Sequence, residues 1–192
     1  MSDWPFGDMR PFGFDMVMID PPWSFENWSE KGQAKNAKAQ YACMTLDQIK
    51  ALPVGHLGTR DCLYWLWATN PMLDVAFDVL TAWGVRFVTA GTWVKRTAHG
   101  KLAFGTGYRL RCASEPFLLA TNGDPATARN VRSVIEGPGR EHSRKPDEAY
   151  AAAEQLMPSA RRADLFSRET RPGWTSWGLE AGKFNKKTEK AA

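Results

Sequence analysis

Asp20-Pro21-Pro22-Trp23 places a carboxylate, carbonyls held by rigid rings and an indole face in four consecutive residues. The prolines can continue neither a helix nor a strand ladder. They follow the short apolar run at residues 14–19, which puts Asp20 at the carboxyl end of a strand. In open α/β sheets, ligands bind beyond such ends where the strand order switches. The amino group of a nucleobase is a poor nucleophile because its lone pair is delocalised into the ring. Two acceptors gripping its hydrogens, a carboxylate and the Asp20 or Pro21 carbonyl, favour the pyramidal geometry that localises the lone pair, while a stacked Trp fixes the base. These residue types therefore suit alkylation of an amino nitrogen. A plainer reading stands beside it, in which the prolines form a stiff turn, Asp20 caps it and Trp23 packs in the core.

The elements that must position this tetrapeptide alternate along the chain. Thr45 and Gln48 form a capping-box pair that opens a short helix ended by Pro53. Residues 62–68 read as a strand that is apolar on both faces, and Asn70-Pro71 opens a helix closed by Gly84. Strands follow at residues 85–95, 115–120 and 130–135, then a helix over residues 146–157 and a last strand at residues 162–166. This alternation predicts an α/β fold with a mostly parallel, doubly wound sheet. Residues 24–40 have no sustained apolar period and read as a long loop of the kind used as a lid or substrate contact. One domain is expected over residues 1–182, followed by a basic, disordered tail over 183–192.

Composition removes several classes. With 192 residues, 43% hydrophobic and 24% charged, the chain is neither disordered nor fibrous. Its three cysteines form no C-x-x-C pair, and its three histidines show no metal-ligand spacing. Neither a disulfide framework nor a zinc site is expected, and a reducing cytoplasm fits best. No apolar stretch approaches the roughly 20 residues of a membrane span, and no export signal is read at the start. Nine Trp against four Tyr suggest stacking surfaces in addition to core.

The net charge of +4 permits a polyanionic partner. Between Lys95 and Ser114 there are five basic residues (Lys95, Arg96, Lys101, Arg109 and Arg111) and no acid, with Phe104 and Tyr108 interleaved. That is the content of a loop that binds a nucleic-acid backbone. A second basic cluster is Arg140, Arg144 and Lys145.

The tetrapeptide resembles the signature of the adenine-N6 methyltransferases related to the catalytic subunit of the mRNA adenosine methyltransferase, a family with bacterial and phage DNA-directed members. Further blocks follow in family order from about Phe14 to Glu180. They include Tyr41 with Met44, Thr69-Asn70-Pro71, Thr92-Trp93-Val94-Lys95, Glu115, Ser143-Arg144-Lys145-Pro146, Leu165-Phe166-Ser167-Arg168 and Trp177-Gly178. The resemblance implies a Rossmann-like fold using S-adenosylmethionine, with the catalytic motif ahead of the cofactor-binding strand. This order agrees with the absence of a G-x-G-x-x-G after the first strand. It implies catalytic roles for Asp20, Pro21, Pro22 and Trp23, and cofactor contacts by Asp20, Lys145, Arg168 and Glu180. It also implies an acceptor pocket shaped by Tyr41 and Glu115, with Lys95, Arg96, Tyr108, Arg109 and Arg111 on the nucleic acid. Leu179 stands where the family commonly has an Asn. DNA is the expected polymer. RNA methylation and a catalytically silent nucleic-acid-binding subunit remain open alternatives, and a second copy or partner subunit is a possible source of sequence specificity.

Overall fold

A computed structural model describes residues 4–24, 43–107, 109–140 and 144–185. Seven strands form one sheet, in the order β5-β3-β4-β2-β1-β6-β7. They are β1 Phe14–Ile19, β2 Gly58–Trp67, β3 Arg86–Arg96, β4 Ser114–Asn122, β5 Val134–Pro138, β6 Arg162–Leu165 and β7 Trp174–Trp177. The helices are α1 Leu46–Ala51, α2 Leu73–Ala82 and α3 Asp147–Leu156. The chain passes from β1 to β2 on one side and returns late to lay β6 on the other, both in parallel register. Ligand-binding crevices form at such switches in strand order.

Both faces of the sheet are covered, and the two faces differ. One carries Val17, Ile19, Tyr64 and Leu66 against α1 and α2, with Trp83 closing that layer. The other carries Met16, Met18, Trp65, Trp67 and Trp93 against Ala149 and Ala153 of α3. Trp65 stacks on Phe117 at 4.2 Å between ring centroids, so this half of the core is built largely of rings. The capping box at Thr45 is formed, with Gln48 N–H donating to the Thr45 hydroxyl and Thr45 N–H to the Gln48 side chain.

The sequence-based expectations differ from the structure in three places. The strand expected at residues 130–135 is β5, four residues further on, because Thr92 to Arg96 of β3 pair with Val134 to Pro138. β4 runs antiparallel between β2 and β3, a reversal that apolar patterning cannot reveal. β7 was not expected at all. It is four residues long, lies between Gly173 and Gly178, and extends the sheet beside β6. The expected loop at residues 24–40 lies outside the described residues except for Ser24, as does most of the expected tail. Among the described residues no helix is long and apolar enough to cross a membrane, and no group of His, Cys, Asp and Glu is arranged to hold a metal.

Candidate active site

Six strands point the same way and β4 opposes them, so one edge of the sheet collects the carboxyl ends of β1, β2, β3 and β6 with the start of β4. Asp20 leaves β1 here, its N–H donating to the Leu165 carbonyl at 3.3 Å. The prolines then turn the chain. Trp23 N–H donates to the Pro21 carbonyl at 2.8 Å, and Met44 N–H to the Pro22 carbonyl at 3.0 Å. The Pro21 carbonyl keeps one lone pair for another donor.

Trp23 corrects the stacking expectation. Its ring is 3% exposed, and its indole N–H donates to the Trp67 carbonyl at 3.0 Å. It ties the motif to the end of β2 and offers no open face, which is the plainer of the two readings made from sequence.

Four side chains form a charged row along this edge. Lys95 Nζ lies 2.7 Å from Glu115 Oε2, Lys145 Nζ lies 2.7 Å from Glu115 Oε1, and the same Lys145 Nζ lies 2.8 Å from Asp20 Oδ2. Lys145 is 7% exposed, and its ammonium is 5.3 Å from the Trp67 ring centroid. Burial alone would discharge this lysine, but Asp20 and Glu115 outweigh it and hold its pKa above the ordinary lysine value. Burial also opposes the ionised form of Glu115, and Lys145 and Lys95 overcome that to hold its carboxyl at about 2. Asp20 goes the other way: burial pushes its carboxyl up, Lys145 pulls against this, and the Glu115 charge adds to the rise.

Two cavities meet at Asp20. The larger, about 1010 Å³, is lined by Trp4, His56, Phe166, Arg168, Trp177 and Glu180 among others. The smaller, about 20 Å³, lies toward α3 and is lined by Lys145, Tyr150, Asp164 and Ser167. Phe166 borders both and has φ 62, a left-handed backbone uncommon outside glycine, in the turn after β6 that leads to Arg168. Gly178, two residues before Glu180, has φ 150, and a Cβ there would lie only 2.9 Å from the Phe166 Cα, so the turn leaves no room for a side chain. Glu180 Oε2 lies 3.4 Å from Arg168 Nε and, although buried, has no hydrogen-bond partner among the described residues.

The basic segment is divided. Lys95 turns inward to Glu115, and Arg96 pairs with Glu136 at 2.9 Å, an acid brought alongside by β5. Both therefore have carboxylate partners distant in sequence, and the Arg96–Glu136 pair stays solvent-exposed. Arg109 and Arg111 remain outward, with Arg111 over the Phe104 ring at 5.1 Å. In the second cluster, Arg140 pairs with Asp147 at 2.7 Å and Arg144 with Glu169 at 2.6 Å. Tyr41 and Tyr108 lie outside the described residues. Sequence reasoning missed Asp164, Tyr150, Phe166 and Trp177. Asp164 had a visible signal, an acid inside the otherwise apolar strand Ala163-Asp164-Leu165-Phe166.

The mostly parallel sheet, with its switch in strand order at β1, has the Rossmann-like α/β architecture of the methyltransferase fold. The MT-A70 family profile matches residues 14–180, and the chain belongs to that family. It is 34% identical to the Arabidopsis thaliana N(6)-adenosine-methyltransferase MT-A70-like protein, over 92% of this chain and 26% of that one. It is 30% identical to the Mus musculus N(6)-adenine-specific methyltransferase METTL4, over 89% of this chain and 38% of that one. Identity to the type II methyltransferase M.MunI of Mycoplasma sp is 24%, over 87% and 77% of the two chains. The chain thus spans roughly a quarter to two fifths of the length of the first two relatives.

Proposed function

We propose that this chain transfers a methyl group from S-adenosylmethionine to the 6-amino nitrogen of adenine in nucleic acid, with DNA as the polymer, and that residues 1–182 form the single domain that does so. The observation that carries this reading is the Asp20 carboxylate at the mouth of the large cleft, fixed from behind by buried Lys145. An acceptor held in one position can grip an amine and orient its lone pair without reorganising.

The cleft suits the cofactor. Its aromatic residues Trp4, Phe166 and Trp177 suit a purine, and Arg168 is a counter-charge for a carboxylate. Glu180 Oε2, which accepts no hydrogen bond among the described residues although it lies 3.4 Å from Arg168 Nε, is an acceptor for ribose hydroxyls. Bound there, S-adenosylmethionine supplies an electrophilic methyl group. Asp20 and the remaining lone pair of the Pro21 carbonyl hold the amino hydrogens, Lys145 keeps the carboxylate oriented, and Trp23 holds the turn in register with β2. Asp20 then accepts the proton once the nitrogen has become positive. Exposed Arg109 and Arg111 with Phe104 supply backbone and stacking contacts at the rim.

The test is incubation with labelled cofactor and single- and double-stranded DNA and RNA, followed by nucleoside analysis. N6-methyladenine in DNA is the expected product. Label in RNA alone would move the polymer assignment. No label, with no rise in melting temperature on adding the cofactor, would favour a silent binding subunit.

A further inference from the structure

Asp164 is an acid inside β6, paired on one side with Met18 of β1 and on the other with Ser176 of the edge strand β7. It is 3% exposed and faces α3, where the Tyr150 hydroxyl donates to its Oδ2 at 2.9 Å. A buried acid on the face of the sheet packed against α3 destabilises the fold unless it is paired or stays protonated. No lysine or arginine pairs with it among the ion pairs of the described residues. Asp164 instead shares the 20 Å³ cavity with Asp20. That space is large enough for one water, and its walls are polar.

We infer that Asp164, held by Tyr150, takes up the proton released by methylation, receiving it from Asp20 across this water-sized cavity. The inference rests on the methyltransferase reading above. In the chemical step the amine lone pair forms the N–CH3 bond as the S–CH3 bond breaks, and sulfur keeps that electron pair. The nitrogen then bears one proton too many. It passes this proton to Asp20, which hands it to the intervening water, and the water gives one up to Asp164. Asp20 is thereby ionised again, and Asp164 must then release the proton to solvent before it can accept another.

The surroundings of Asp164 suit such a role. Tyr150 and Lys145 face the cavity from α3 and its approach, Ser167, Arg168 and Arg171 from the segment after β6, and Asp20 from the end of β1. The other charged residues of the lining, Arg144 and Glu169, are paired with each other. Burial pushes the Asp164 carboxyl up to about 7, against hydrogen bonding from Tyr150 and Ser167, and the nearby Asp20 charge adds to the rise. Burial also holds the Tyr150 hydroxyl well above its ordinary value, so it remains a donor. Asp164 touches no reactant and acts only through Asp20.

The test is the pH profile of steady-state kcat on an adenine-containing oligonucleotide, measured for the full chain and two variants. Wild type should lose activity as pH falls below about 7, where Asp164 already carries its proton. Asp164→Asn should lower kcat about tenfold at pH 8 and abolish this limb, with KM unchanged. Tyr150→Phe removes a donor that favours the ionised form, so its limb should move to higher pH. A wild-type profile that is flat through pH 7, or a limb unmoved in either variant, overturns the inference and leaves the methyltransferase reading intact. If Asp164→Asn does not fold, the direction of the Tyr150→Phe shift decides alone. A wild-type chain that methylates no adenine removes both.

Discussion

Asp15 and Asp20 mark the two ends of β1, roughly 17 Å apart along the strand. Asp15 accepts paired hydrogen bonds of 2.9 and 3.0 Å from the Arg161 guanidinium, one of 3.0 Å from the Arg161 backbone N–H and a fourth from the Thr59 hydroxyl. The Arg161 hydrogen bonds dominate and hold its carboxyl at about 2. At the other end, burial pushes Asp20 up and one lysine must serve it and Glu115 together. The first aspartate is satisfied by its own partners and closes the sheet against residue 161. The second is held in place yet left with capacity to accept, which is the condition a reacting group needs. One residue type is thus fully paired at one edge of the sheet and, at the other, placed where the proposed chemistry needs an acceptor.

That contrast can be broken at either end. The largest effect is expected from Glu115→Gln, which leaves Lys95 and Lys145 with one fewer buried carboxylate; chemical denaturation should report a loss of about 3 kcal/mol. Asp20→Ala should lower turnover on the order of a hundredfold, with cofactor affinity, measured calorimetrically, far less affected. Trp23→Phe keeps the ring volume near that of the core and removes the bond to the Trp67 carbonyl. It should cost about 1–2 kcal/mol, read as a lower melting temperature. The smallest effect is expected at Asp15→Asn, under about 1 kcal/mol at neutral pH because the Arg161 pair is exposed. Its pH dependence gives it away. The Asp15 carboxyl is lowered on folding, so the pair contributes fully above its unfolded value near 4 and is lost as pH falls through about 2. Wild-type and variant stabilities should therefore converge in acid.

The same division explains what could be read from residues alone. β1, α1 with its capping box and α3 were legible because apolar period and cap chemistry are local. β4's direction and β7 were not, since both depend on which strand lies alongside. Asp20 was legible because two prolines end its strand abruptly. The engagement of Lys95 by Glu115 and of Arg96 by Glu136 was hidden, because these acids lie 20 and 40 residues away and arrive only through sheet pairing. Trp23 was misread as an open stacking face for a similar reason. Its partner, the Trp67 carbonyl, is supplied by β2.

The reversed β4 has a consequence for how such a chain can be altered. Because β3 ends and β4 begins at the same edge, the connection between them need not cross the sheet. A parallel neighbour would have required a crossover to the far side. The connection can therefore be lengthened or shortened beyond the Arg96–Leu102 bridge while the β3–β4 ladder is kept, which makes it the place where the chain tolerates a graft.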